Sequence, residues 1–382
     1  MNGITFVLLG SQGTYGHLAI ADKISRFITT QDLNIDVNLL LERQVIPDEF
    51  RQNFSQISWL EPRPHTCSRG GSLNTKYAGA DVDRALEEHS GRTWVFSTFF
   101  DCNLVQAVQT RGGRCVWMSH PIRESFWQLF LHERFCDLFD EIVFLDDIMP
   151  ADEIQYLGPK PKILPPPDYA YQESSFEVER RTLSQFRVLL CCGGGLVNGS
   201  DDLLRSCLES IAATQSCAFT DVDFEIAPGA IDSLEWINGL ALNTAVVRSS
   251  LRERMCDADF LICQAGYCTV HEAVHAALPM MLIPAPRMID DQELRAVGLS
   301  RSVGIETILP SHINDVGTHL DRVIQKSNEV LPSLSKRLRS YTERRGWDEY
   351  SARSQWTALL NEWTDESDSR NEKKVSGTDS VI

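Results

Sequence analysis

The side chains best placed to do chemistry in this chain lie between Ala258 and Gln292. An apolar run at 260–263 leads into Ala265-Gly266, and a helical stretch with Thr269-Val270-His271-Glu272-Ala273-Val274-His275 follows. A helix expected to start near Thr269, straight after a glycine turn, points free N–H groups back at the turn and attracts anions, phosphate above all. The same residues spell HExxH, which puts His271 and His275 on one helical face and matches a zinc-peptidase pattern. Leu278-Pro279 ends that helix, a second apolar run fills 280–283, and Asp290, Asp291 and Gln292 supply two carboxylates and an amide.

Such groups need a frame. The 382 residues suffice for two domains with cores of their own, and a 43% hydrophobic content fits a folded water-facing protein. Apolar runs at 4–9, 35–41, 94–97, 115–118 and 142–145 alternate with helical patterns at 18–28, 103–109 and 124–135. A proline-rich stretch at 158–167 then precedes a second series, with strands at 186–191, 223–227, 244–247, 260–263 and 280–283 and a helix at 201–213. Helical patterns close the chain at 312–327, 332–345 and 351–363. The expected fold class is α/β: two Rossmann-like doubly wound domains facing across a cleft, with C-terminal helices. The boundaries expected are an N-terminal domain at 1–157, a linker at 158–185, a second domain at 186–345, a helix at 346–363 and a disordered polar tail at 364–382. Residues 55–79 are expected to form a long irregular loop, and Trp117, Phe126, Trp127 and Phe130 to be core.

With 36 basic and 53 acidic residues the formal charge is −17, which disfavours nucleic acid and anionic membrane surfaces as partners. No apolar run approaches the roughly 18–20 residues that span a bilayer. The N-terminus has no basic lead or cleavage site, and the 11 cysteines lack a disulfide or zinc-ribbon spacing. A cytoplasmic protein with reduced thiols and no stable membrane anchor is expected.

Each apparent domain opens with a strand and a glycine loop, Gly10-Ser11-Gln12-Gly13-Thr14-Tyr15-Gly16-His17 and Cys191-Cys192-Gly193-Gly194-Gly195. Neither keeps the GxGxxG period of a nicotinamide dehydrogenase. The Gly16-His17 ending of the first loop, the Ala265-Gly266 turn, Thr269-x-x-Glu272, Ala277-Leu278-Pro279 and Asp291-Gln292 together resemble the GT-B fold glycosyltransferases, the class that includes the N-acetylglucosaminyltransferase of lipid II synthesis. The resemblance runs over roughly residues 4–308.

The resemblance implies a glycosyltransferase that moves a sugar from a nucleotide diphosphate sugar, with UDP as the expected nucleotide, to an acceptor hydroxyl, with inversion and without a metal or other cofactor. It gives His17 the role of catalytic base. The donor falls to Gly13, Gly16, Gly194, Gly195, Ala265, Gly266 and Thr269 around the diphosphate, to Glu272 at the ribose, and to Asp291 and Gln292 at the sugar. The longer first loop, the absence of a proline after His17 and the acidic charge favour a soluble small-molecule acceptor, with His120 and Arg123 as its candidate contacts. Blander readings stand beside these. Thr269-x-x-Glu272 is also a capping box, His17 is also suited to a loop hydrogen bond, Gly193–Gly195 to a tight turn, and Asp291 and Gln292 to a solvated helix start. The same cleft also serves an epimerase, a hydrolase or a silent sugar-nucleotide-binding subunit. A zinc peptidase is disfavoured, since Leu278-Pro279 breaks any extension of HExxH and no third ligand is evident downstream.

Overall fold

The computed structural model describes residues 3–9, 16–42, 46, 48–61, 79–89, 91–148, 161–170, 185–191, 200–214, 216–227, 234–247, 251–287 and 289–365. Gly13, Gly194, Gly195 and most of the expected tail lie outside them.

The first sheet has seven parallel strands: β1 (Gly3–Leu8), β2 (Asp36–Glu42), β3 (Gln56–Leu60), β4 (Thr93–Ser97), β5 (Arg114–Ser119), β6 (Glu141–Leu145) and β7 (Lys162–Leu164), in the order β3-β2-β1-β4-β5-β6-β7. The second has six: β8 (Phe186–Cys191), β9 (Val222–Ala227), β10 (Thr244–Val246), β11 (Phe260–Cys263), β12 (Met280–Leu282) and β13 (Glu306–Thr307), in the order β10-β9-β8-β11-β12-β13. In each sheet the order reverses beside the first strand, and a doubly wound sheet opens its ligand crevice at that point, outside the carboxyl ends of the strands.

The apolar runs read as strands because both faces of each sheet are covered. Along β1, Phe6 and Leu8 enter one core while Val7, and Leu9 just beyond, enter another with Trp94 and Trp117. Along β8, Leu189 and Cys191 face one way and Val188 and Leu190 the other. The cluster holding Phe6 and Leu8 also holds Leu189 and Leu261, so a single apolar layer is shared by the two sheets. Helices from both ends of the chain fill it, among them Gly16–Thr30, Tyr267–His275, Gln292–Val303, Ser327–Arg345 and Glu349–Thr364. Trp117, Phe126, Trp127 and Phe130 are core, as their types suggest.

Three segments depart from the sequence reading. Gln56–Leu60, placed in an irregular loop, is an edge strand on β2 that alternates burial at its Ser58 and Leu60 positions; residues 62–78 fall outside the described set. The proline-rich segment, read as a plain connection, contributes β7 to the free edge of β6, a place where flanking prolines cost no ladder bonds. The last helix, Glu349–Thr364, returns to the first sheet. Thr93 Oγ1 donates to Trp363 O at 2.6 Å, Trp363 Nε1 donates to Glu141 at 2.8 Å and Trp356 Nε1 donates to Pro165 O at 3.0 Å.

Trp363 therefore fastens the Glu349–Thr364 helix to the first sheet. Trp363→Ala is expected to lower unfolding free energy by about 3–5 kcal/mol, the usual loss for a buried tryptophan, measured by urea denaturation; a change below about 1 kcal/mol would contradict this packing.

Candidate functional site

The strand ends of the first sheet face the 264–272 and 285–295 segments of the second. At the end of β4, Ser97 Oγ lies 2.8 Å from His17 Nδ1. The next residue, Thr98, sits at φ 59, a left-handed conformation that is costly for a β-branched side chain. It is held there because Thr98 N donates to Met118 O at 3.0 Å, its hydroxyl pairs with Ser119 Oγ at 2.9 Å, and Trp117 Nε1 donates to Thr98 O at 2.8 Å. This strained corner fixes Ser97, and Ser97 fixes the His17 ring.

His17 stacks on His120 with ring centroids 6.5 Å apart, and His120 stacks in turn on Tyr267 at 5.3 Å. Burial, reinforced by His120 and opposed by Asp290, pushes His17 down to about 4, so the ring is neutral at physiological pH. His120 is itself buried, its Nδ1 3.0 Å from Pro121 O. Arg123 N donates to Ile289 O at 2.9 Å, Ile122 forms an antiparallel bridge with Asp290, and the Arg123 guanidinium is 3.7 Å from Asp291. His120 and Arg123, expected as acceptor contacts, thus lie where the two halves touch.

The Tyr267–His275 helix begins two residues before the expected Thr269. Gly266 is its N-cap, at φ −68 and ψ 141, with no side-chain cap bond. Thr269 and Glu272 are inside the helix, so the capping-box alternative is not what forms. Gly266 does not use the backbone freedom of glycine, and a Cβ added to it would meet nothing nearer than Gln292 Nε2 at 3.8 Å. Its missing side chain leaves open space in front of the helix. Facing it is the start of the Gly16–Thr30 helix, with Cys268 Sγ 3.4 Å from Gly16 O. Neither helix has an acidic residue in its first turn. Two positive helix ends therefore meet at one spot.

Asp291 caps the Gln292–Val303 helix, its carboxylate accepting from Leu294 N at 3.2 Å. Gln292 is buried, accepting from Ala285 N at 3.0 Å and donating to Asp290 Oδ2 at 3.2 Å. The carboxylate nearest the two histidines belongs to Asp290, 3.8 Å from His120 Nδ1.

The strongest contact between the halves was not foreseen. Arg295 and Asp147, both with side chains 0% exposed, form a bidentate pair, with Arg295 Nε 2.9 Å from Asp147 Oδ1 and Nη2 2.7 Å from Oδ2. Arg295 Nη1 also donates to Ala265 O at 2.6 Å and Nη2 to Asp290 Oδ1 at 2.8 Å, so one guanidinium fixes the turn before Gly266 and the Asp290 loop. Burial alone would raise Asp147, but the Arg295 charge, with hydrogen bonds from His271 and Arg295, holds it far below the ordinary carboxylate range. Lys23 makes a second crossing, with Nζ 2.5 Å from Asp168 and 2.6 Å from Glu272.

The HExxH histidines have separate partners. His271 Nε2 is 3.3 Å from Asp147 Oδ1, and the His275 ring packs edge-on against Tyr169 at 4.7 Å. Among the described residues no group of three or more His, Cys, Asp or Glu side chains is placed to hold a metal.

With this geometry in hand, comparison with known proteins is informative. Residues 233–342 match the glycosyltransferase family 28 C-terminal domain. Over 79 residues the chain is 37% identical to the UDP-N-acetylglucosamine--N-acetylmuramyl-(pentapeptide) pyrophosphoryl-undecaprenol N-acetylglucosamine transferase of Ectopseudomonas mendocina (strain ymp), a stretch covering 21% of this chain and 21% of that one. The transferase of the same name from Shewanella sp. (strain ANA-3) is 32% identical over 84 residues, 22% and 23% of the two chains. The matched stretch thus spans about a fifth of either relative's length. Among solved structures, the spinosyn forosaminyltransferase SpnP superposes with a TM-score of 0.65 at 15% identity, covering 95% of this chain and all (100%) of that one. Acinetobacter baumannii MurG does so with a TM-score of 0.61 at 13% identity, with 95% and 100% covered. The two-sheet arrangement is that of the GT-B fold, and the chain resembles its glycosyltransferases.

Arg295→Ala would leave the buried Asp147 without its counter-ion, at a cost of about 3–5 kcal/mol. Asp147→Leu with Arg295→Met is expected to recover most of that loss in urea denaturation. A carboxylate with a depressed folded pKa contributes stability that is full above its unfolded value of about 3.9 and is lost as pH falls through the folded value. The double variant should therefore lose less stability in acid than the wild type. A single variant as stable as the wild type would refute the pair's role.

Proposed function

We propose that the chain is a glycosyltransferase that takes a sugar from a nucleotide diphosphate sugar, UDP being the favoured nucleotide, and passes it to a hydroxyl of a soluble acceptor with inversion. The observation that carries this reading is the meeting of two helix N-termini, at Gly16 and Gly266, with no acidic side chain in either first turn. A departing diphosphate is the anion that such a place suits. Each helix end contributes about 0.3–2 kcal/mol, so both are needed, and Gly13, Gly194 and Gly195 are assigned to the same diphosphate. On this reading no metal is required, because the helix ends meet the charge that one would otherwise neutralise.

The remaining roles are assigned on the same reading. Ala265, Gly266 and the Thr269 hydroxyl line the diphosphate side, and Glu272 accepts from the ribose. Asp291 and Gln292 belong to the sugar side, where Asp290, engaged with both Gln292 and Arg295, takes the place nearest the histidines. When His17 donates Nδ1–H to Ser97 Oγ, its Nε2 lone pair is free to take the acceptor proton. The acceptor oxygen then bonds to the anomeric carbon from the face opposite the diphosphate, and the bond to the leaving oxygen breaks with its electron pair on the diphosphate. His120 and Arg123 are assigned to the acceptor side. The formal charge of −17 supports an acceptor in solution over one on an anionic lipid surface. No helix among the described residues is long and apolar enough to cross a membrane. A cytoplasmic setting is in keeping with Cys207, Cys256 and Cys263, which are thiols not joined in disulfides.

His17→Ala is expected to lower kcat by about 10²–10⁴-fold, the usual contribution of a positioned base, while leaving UDP affinity unchanged by calorimetry. Because the base must be neutral and His17 is pushed down to about 4, the acid limb of kcat/KM should lie well below the ordinary histidine value. Sugar release from UDP-sugars at full rate without any acceptor would instead identify a hydrolase.

A further inference from the structure

We infer that Lys23 is the positioning residue that gives the donor site its preference for a ribose, by holding one oxygen of Glu272 so that the other meets the sugar's vicinal hydroxyls; this rests on the nucleotide-sugar reading above. Lys23 lies on the Gly16–Thr30 helix of the first sheet, Glu272 on the Tyr267–His275 helix of the second and Asp168 on the short Pro167–Ala170 helix after β7. Three separate parts of the chain thus converge on one ammonium. Its Nζ is 2.5 Å from Asp168 Oδ1 and 2.6 Å from Glu272 Oε1, and the three side chains are 8%, 4% and 15% exposed in the order Lys23, Asp168, Glu272.

Two carboxylates share this one ammonium, so the cluster carries a net charge of −1. Of the two histidines near Asp168, His271 is turned to Asp147, and His275 does not neutralise the cluster because burial pushes it down to about 4. Glu272 Oε1 is occupied by Lys23, whereas Oε2 receives no hydrogen bond from a described residue. A carboxylate with one oxygen fixed by a buried ammonium cannot rotate, so the direction of its free oxygen is set. The excess negative charge calls for neutral donors rather than a second cation, and a vicinal diol offers two O–H groups at the right spacing for one carboxylate. Lys23 stands out even within its helix. It lies three residues after Ile20 and four before Phe27, both core residues, on a face where a lysine is out of place unless its charge is used. Removing the ammonium would leave Glu272 and Asp168 repelling one another, and Glu272 would turn away from the ribose.

The test measures binding of UDP, 2′-deoxy-UDP and inorganic pyrophosphate to the full chain by calorimetry. The wild type should bind UDP at least about tenfold more tightly than 2′-deoxy-UDP, the effect of one hydrogen bond to a charged group. Lys23→Met should bind the two nucleotides within about twofold of each other, with pyrophosphate affinity unchanged. Lys23→Met with Asp168→Asn keeps the cluster's net charge at −1, serves if the single variant does not fold, and should behave in the same way. Undiminished discrimination in either variant, or equal binding of both nucleotides by the wild type, would overturn the role of Lys23 while leaving the donor site standing. A wild type that binds none of the three probes would overturn the donor reading itself.

Discussion

The Asp147–Arg295 pair is the constraint on which the rest of this structure depends. A guanidinium and a carboxylate with no solvent exposure are tolerable only when each satisfies the other and the remaining donors find acceptors. Here the remaining donors reach Ala265 O and Asp290, so the contact that joins the two halves also shapes the turn ahead of Gly266 and the loop that carries Asp290. Asp147 follows β6 at the carboxyl edge of the first sheet, and Arg295 lies in the first turns of a helix that follows β12 of the second. A shift of one half against the other would break the bonds of Arg295 and His271 to Asp147. The relative placement of the strand ends is therefore held by hydrogen-bond geometry as well as by the shared apolar layer, which has no direction of its own.

The same edge collects the groups that matter chemically. Thr98 stores backbone strain beside Ser97, and Ser97 orients His17. The His17, His120 and Tyr267 rings form a column that runs from the first sheet to the helix after β11. The two helix starts at Gly16 and Gly266 lie against one another, an arrangement that favours a bound anion between them. Neutral imidazole, positive helix ends and a carboxylate with one free oxygen are thus brought together by contacts between the halves.

Much of the architecture was legible in the sequence because parallel strands buried on both faces leave unbroken apolar runs, and runs such as 186–191 and 260–263 coincide with β8 and β11 as formed. The two edge strands of the first sheet were not legible. Gln56–Leu60 carries polar residues at alternate positions, and Lys162–Leu164 is three residues long between prolines, so neither produces a run. At the site, the helix after Ala265 was readable from local spacing. Asp147, Lys23 and Arg295 were not, since a single charged residue has no meaning until the fold supplies its partner. Two weak signals were present: Asp146-Asp147 directly follows a buried strand, and Lys23 interrupts the apolar face of its helix.

The central claim is that an anion sits between the starts of the Gly16–Thr30 and Tyr267–His275 helices when a nucleotide sugar binds. Amide hydrogen exchange with and without UDP-N-acetylglucosamine tests it most directly, since first-turn amides that gain an acceptor exchange more slowly. The account predicts added protection at the first turns of both helices together. Protection at neither helix start, in the presence of measurable binding elsewhere, would contradict it.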